Sequence, residues 1–220
     1  MARILVFTRT TGYRHESIEP GVEAVVELAA DHGHDVEHTE DPSVFAGDLD
    51  RFAAVVWLST DGDVLDDAQR EAFAAWLRAG GGFAGVHGAS ASEKGWPEFE
   101  DIVGARFSGH PADQGMTATI RVEDATHPST AHLPRGWSRA EEWYSFERSP
   151  RERVRVLLSV DESQYDVGEF AMGEDHPLAW AGTYGDGRTW YTALGHASET
   201  WGDPAFREHV WGGIASVLRV

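Results

Sequence analysis

The chain has 220 residues, enough for one sizeable core, and its 37 acidic side chains outnumber 18 basic ones for a net charge of −19. That charge disfavours nucleic acid and anionic membrane as partners. The absence of cysteine excludes disulfides, thiolate metal sites and cysteine nucleophiles, and Lys94 as the sole lysine excludes lysine chemistry elsewhere.

Ile4 to Phe7 reads as a first strand, with the polar exit loop Thr8 to Glu16 behind it. A helix over 17–32 follows, with Ser17 as its cap, Pro20 in the tolerant first turn, Val22, Val25, Val26 and Ala29 buried, and Gly33 at its end. His34 to Thr39 is polar enough for a strand at a sheet margin. The next helix has shrunk to a turn around Pro42 to Leu49.

Phe52 to Leu58 is an uninterrupted apolar run that suits a strand buried on both faces. In the helix over 66–79, Asp66 and Gln69 form a capping box, Ala72, Phe73, Trp76 and Leu77 line one face, and Gly80 follows. Gly82 to Val86 is a second buried strand that leads straight into His87. The strands at 4–7, 52–58 and 82–86 are expected to be parallel neighbours, with the two helices covering the faces of their sheet. In such a sheet, ligands bind at the carboxyl ends of the strands.

Beyond His87 the text becomes mixed. Ser92 to Val103 is partly helical and Gly104 to Gln114 loop-like, while Met116 to Val122 and Arg153 to Val160 read as strands. Tyr184-Gly185-Asp186-Gly187 predicts an antiparallel hairpin between Leu178 to Thr183 and Arg188 to Leu194. A final helix begins with Asp203 as N-cap and Pro204 behind it, and buries Phe206, Val210, Ile214 and Val217. One α/β domain over 1–220 is the reading, its second half elaborated by antiparallel strands. The amino-terminal sequence carries no signal-like segment and no apolar run approaches membrane length, so a soluble cytoplasmic protein is expected. Apolar stretches of the second half, if exposed, would allow a homodimer.

Polar residues gather at the strand exits: Thr10, Thr11, His15 and Glu16; Ser59 to Asp61; His87 and Ser90; Glu141, Glu142 and Tyr144; His196, Ser198 and Glu199. His15, His87 and His196 with Glu142 or Glu199 would make a site for zinc, manganese or nickel. None has the short spacing of a dedicated metal motif. The competing reading has His15 and His196 bonded to loop carbonyls and Glu199 capping the turn before Trp201. His87, set in Gly85-Val86-His87-Gly88, occupies a tight turn like a nucleophile elbow, with a buried structural histidine as the alternative. Ser90 is a weak nucleophile candidate or a helix cap. Gly80-Gly81-Gly82 precedes a strand where a phosphate-cradling loop should follow one, so no nucleotide is expected. Trp57, Trp76 and Trp180 fit core positions. Trp96, Trp143 and Trp201 lie in polar text, where they either stack on sugar or pack beneath long loops.

The chain resembles the trehalose-utilisation (ThuA-like) family over almost its whole length. The resemblance lies in TGYRHESI at 11–18, TDGDVLDDAQREAF at 60–73, RAGGGFAGVHGAS at 78–90, GARFSGHP at 104–111 and VEDATHP at 122–128, and then in EEWYSF at 141–146, MGEDHPLAW at 172–180 and LGHASETWGDPAFREHVWGGI at 194–214. It implies a flavodoxin-like three-layer sandwich with a mostly parallel central sheet, similar to class I glutamine amidotransferases. The elbow cysteine of those enzymes falls on His87, and their late histidine and acid fall on His196 and Glu199, one residue beyond the usual spacing. Imidazole cannot form the glutamyl thioester, so no glutaminase is expected.

The resemblance further implies a small-molecule carbohydrate ligand, such as a keto-sugar or trehalose derivative. His87, His196, Glu142 and Glu199 are the expected catalytic residues, and His15, His87, His196 and Glu142 the expected ligands of one divalent ion. Thr11, His15, Asp61, Ser90, Trp96, His110, Trp143, Tyr144 and His176 are the expected substrate contacts. A hydrolase, lyase or isomerase, and a non-catalytic sugar-binding or regulatory protein, both fit this pattern.

Overall fold

The structure, a computed structural model, describes residues 1–219. Its first half is built from β1 (Arg3–Phe7), α1 (Ile18–Asp31), β2 (Asp35–Thr39), β3 (Ala54–Leu58), α2 (Asp67–Arg78) and β4 (Gly82–Val86). Two short 3-10 turns, Pro42–Ala46 and Leu49–Arg51, stand where a helix would otherwise join β2 to β3. β1, β3 and β4 are parallel neighbours, and β2 forms the outer margin beside β1. Every residue of β3 and β4 is buried, as their apolar text requires.

Alternation along β3 separates the two helical layers. Trp57 stacks on Phe73 of α2 at 5.7 Å and 9°, while Leu58 points the other way, where a Cβ at Gly21 of α1 would meet it at 3.0 Å. The Asp66–Gln69 capping box of α2 forms in both directions. Ser17 stands at the N-cap of α1, but its hydroxyl makes no capping bond; Glu19 and the dipole of the first turn carry that end instead.

The second half adds α3 (Phe99–Val103), β5 (Phe107–Gly109), β6 (Met116–Val122), β7 (Gly136–Glu141), β8 (Ser145–Phe146), β9 (Arg155–Val160), β10 (Pro177–Tyr184), β11 (Gly187–Thr192) and α4 (Pro204–Val217). The main sheet runs β2-β1-β3-β4-β11-β10-β9-β6-β7, and β5 pairs with β8 separately. β11 is the seam. It lies parallel to β4 and antiparallel to β10, its partner in the expected hairpin. α4 begins at Asp203 as expected, the Asp203 carboxylate accepting the Ala205 N–H, and packs over β11 and β4 beside α1.

One expectation for the second half is corrected: β5 interrupts the loop expected over 104–114. β7 falls in text to which the sequence assigns no element. The large apolar side chains exposed among the described residues are Met1, Tyr13 and Val26. All three belong to the first half of the chain. No helix among the described residues is long and apolar enough to cross a membrane.

Candidate metal centre

β1, β4 and β11 run in the same direction, so the residues that follow them arrive at one edge of the sheet. His15 comes from the loop after β1, His87 directly from the end of β4 and His196 from the loop after β11. Glu142 comes from the opposite half, one residue beyond β7. Their ligating atoms all lie within 4.8 Å of one another.

His87 occupies the tight turn expected of it. Its φ is +49°, in the left-handed region costly for a side chain with a Cβ, and it is fully buried. Tyr191 donates its hydroxyl proton to the His87 carbonyl at 2.9 Å, and Ser90 bonds the same hydroxyl at 2.8 Å. These contacts brace the turn. His87 Nδ1 donates to the Ala193 carbonyl at 2.7 Å, which directs the lone pair of Nε2 at the centre. From Nε2, Glu142 Oε2 is 3.3 Å away and His196 Nδ1 3.2 Å, and His196 Nδ1 lies 3.0 Å from the same carboxylate oxygen.

His15 closes the group edge-on, 4.6 Å from the His87 ring and 5.4 Å from His196. Its Nδ1 is buried with no hydrogen-bond partner. Burial, and then the neighbouring His87 and His196, push this imidazole down to about 3, so it is neutral near pH 7. Burial alone would raise the Glu142 carboxyl; the hydrogen bond from His196 and the nearness of the His87 and His196 rings outweigh it and hold the group well below the usual carboxylate range. His196 is raised, first by its hydrogen bond to Glu142 and against burial. A neutral imidazole with an orphaned nitrogen, a second with its tautomer fixed from behind, a third imidazole and an ionised carboxylate are a donor set that could hold a divalent ion.

The adjacent glutamate has a separate task. Glu141 Oε1 accepts the backbone N–H of His196 at 3.2 Å, and Arg139 stands 3.2 Å from Glu141 Oε2. The last residue of β7 and the one after it therefore fix the backbone and the ring of the same histidine.

A cavity of about 150 Å³ opens on the centre, lined by Tyr13, His15, Asp61, Phe107, His110, Gln114, Glu142 and Tyr144. His110 Nε2 is 3.3 Å from Glu142 Oε1, its Nδ1 donating to the Pro111 carbonyl at 2.8 Å. The Tyr144 ring packs on His87 at 4.1 Å, and its hydroxyl lies 3.4 Å from His15 Nε2. Burial, and then the charge of Glu142, keep that hydroxyl protonated by raising it well above its ordinary value. A larger cavity, about 680 Å³ between α1 and α4 around His32 and Trp211, shares no lining residue with this one.

Of the expected contacts, Asp61, His15, His110 and Tyr144 line the cavity, and Thr11 lies beside it with its hydroxyl donating to the Asp63 carbonyl. The other four do not reach it. Ser90 is buried against Tyr191, and Trp96 is buried with its carbonyl bonded by Arg106. Trp143 alternates away from Glu142 and donates Nε1–H to the Met116 carbonyl. His176 is held between Glu162 and the Tyr144 carbonyl. Trp201 is also buried, donating to the Gly195 carbonyl, so none of the three loop tryptophans offers a face for stacking. Glu199 is exposed on the 3-10 turn Ser198–Gly202, which rotates it outward; Glu142 is the acid at His196. The residues missed in the sequence are Tyr13, Phe107 and Gln114. Tyr13 had a signal, standing two places before His15 in TGYRH.

The fold and the centre together define a class: an α/β protein with a mostly parallel sheet whose strand ends gather histidines and a glutamate beside a small polar cavity. The model of the ThuA family, described as trehalose utilisation, matches residues 3–216, and the chain belongs to that family. The crystal structure of a ThuA-like protein from Bacteroides uniformis is similar with a TM-score of 0.80 and 25% identity, over 96% of this chain and 89% of that one. A second ThuA-like protein, from Parabacteroides merdae, gives 0.79 and 20% over 98% and 89%. A cytoplasmic protein from Salmonella typhimurium shares the fold at 0.68 and 10%, over the full length of both. No curated protein matches the chain.

Proposed function

We propose that this protein is a carbohydrate-metabolism enzyme of the cytoplasm that acts on a keto-sugar or a disaccharide such as a trehalose derivative. The observation that carries the reading is the convergence of His15, His87, Glu142 and His196 beside a small cavity that His15 and Glu142 line, in a family described by trehalose utilisation. Those four residues would hold one divalent ion, which when bound supplies Lewis-acid polarisation of a substrate oxygen. A keto group makes the neighbouring C–H acidic, so isomerisation or elimination needs little beyond a placed base and a placed acid.

Two cavity groups outside the ligand set can move that proton. Burial raises the Asp61 carboxyl, opposed by the hydrogen bond from the Tyr13 N–H, so it holds a proton more readily than an exposed carboxylate. His110 is partly exposed and aimed at Glu142. Tyr144 keeps its proton and donates a hydrogen bond. Glu199 has no part in this reading. A purely sugar-binding protein loses its chief support, because Trp96, Trp143 and Trp201 are buried.

The test is elemental analysis of protein purified without a metal-binding tag, together with product analysis on a panel of ordinary and 3-keto sugars. About one ion per chain is expected. His87→Ala and His196→Ala should each lose both the ion and keto-sugar turnover, with the circular dichroism spectrum intact. If no ion is found and added metals alter neither stability nor sugar binding, the metal role fails.

A further inference from the structure

The rim of the cavity carries an aromatic ring that the centre itself does not use. Tyr13 is 62% exposed, while the other large exposed apolar side chains among the described residues, Met1 and Val26, lie outside the cavity lining. The ring is nevertheless mounted rigidly. It stands edge-on to His15, with centroids 4.7 Å apart and planes at 83°, and its own N–H donates to Asp61 Oδ1 at 2.9 Å. The Thr11 N–H bonds the Asp61 carbonyl at 2.9 Å, and the Thr11 hydroxyl bonds that of Asp63 at 3.0 Å. This interlock requires glycine on both sides. A Cβ at Gly12 would fall 1.9 Å from Asp61 Oδ1, and one at Gly62 would fall 2.3 Å from the Thr11 hydroxyl.

The result is an exposed aromatic face fixed beside a carboxylate whose Oδ2 takes no protein hydrogen bond among the described residues. That pairing matches the two kinds of surface on a pyranose, an apolar C–H face and a girdle of hydroxyls. The size of the cavity limits how much sugar enters. At about 150 Å³, against roughly 300–1,000 Å³ for sites that enclose a drug-sized ligand, it has room for one ring. We propose that Tyr13 and Asp61 form a subsite for a single terminal pyranose, its C–H face on Tyr13 and its hydroxyls on Asp61, with the rest of the glycoside outside the rim. This subsite rests on the carbohydrate reading above and names the part of the substrate that is recognised.

The experiment is calorimetric titration of the purified protein with trehalose, methyl α-glucoside and their 3-keto forms, in wild type, Tyr13→Ala, Tyr13→Phe and Asp61→Asn. Within each oxidation state, the disaccharide and the monosaccharide glycoside should bind within about threefold of each other, and Tyr13→Ala should weaken both about tenfold. Tyr13→Phe should stay within about twofold of wild type, because the face and not the hydroxyl makes the contact. Asp61→Asn should weaken binding without altering the ion content. Unchanged affinity in Tyr13→Ala, an equal loss in Tyr13→Phe, or a disaccharide preference above about tenfold overturns the subsite. A wild type that binds no sugar overturns the subsite and the carbohydrate reading together. Sugar binding that depends on Tyr13, in a protein without ion or turnover, overturns the enzyme reading and leaves the subsite standing.

Discussion

His87 Nδ1 donates to the carbonyl of Ala193 at 2.7 Å, across the seam between β4 and β11. The bond sets which ring nitrogen keeps its lone pair, and it does so from the segment that leads into His196. One ligand's orientation thus depends on the strand that delivers another. Zinc held at a hundredfold its dissociation constant should stabilise the wild type by about 2.7 kcal/mol. In His87→Ala the increment should vanish, and a thermal melt with and without zinc measures it. Equal stabilisation of the variant would place the ion elsewhere.

Glu141 and Glu142 are adjacent but separable. Glu141→Ala frees the His196 backbone, while Arg139 keeps Asp203 and Thr200 as partners, and no proposed ligand atom is touched. It should weaken ion affinity by about 10- to 100-fold, the range seen when groups behind a ligand are removed, while Glu141→Gln retains most of it. Competition with a chromophoric chelator reads both values.

Glu93 is fully buried, with a left-handed φ of +55°. It accepts the N–H groups of Val64 and Leu65 at 2.8 and 2.9 Å and pairs with Arg70 at 2.6 Å. Glu93→Ala strands two amides and most of a guanidinium charge, a loss of about 3 kcal/mol. Arg70 retains Asp63 and Asp67 as partial partners, which keeps the figure at the lower end. Urea denaturation should show the shift in midpoint.

His209 lies wholly within the core, its Nδ1 2.8 Å from the Ser129 carbonyl and its Nε2 3.0 Å from the Thr192 hydroxyl. Burial holds it down to about 3, against the usual 6.5 of the unfolded chain. Between those values the unfolded state takes up a proton that the folded state refuses. Stability is therefore unaffected by this group above about pH 6.5 and falls as the pH drops, by at most about 1.4 kcal/mol per unit. His209→Gln should remove about one proton from the slope measured by urea titrations between pH 4 and 7. His15 and His127, lowered in the same direction, account for part of what remains.

The parallel half was legible because β3 and β4 are buried on both faces and α2 carries a complete capping box, so local text and tertiary position agree. β7 was not, because an edge strand with one neighbour needs no apolar run, and Gly136–Glu141 carries no clear alternation. Of the two readings open for the loop tryptophans, packing beneath the loops is the one the structure shows. Polar neighbours suggested exposure, yet each indole of Trp143 and Trp201 finds a carbonyl partner inside. Three strand-exit histidines were visible as a group, and Glu142 over Glu199 was settled by the turn at Ser198–Gly202, which no spacing rule anticipates.

The seam at β11 has a consequence for how the centre comes into being. Three ligands belong to the parallel half and the fourth to the antiparallel half, and they are spread along the chain from 15 to 196. No fragment ending before β11 contains the set, and a chain with its halves undocked lacks Glu142 beside the imidazoles. On the metal reading proposed above, ion capture during refolding would time the closing of the two halves: the lag between the fluorescence change of core tryptophans and depletion of a metal indicator would record the docking that completes the centre.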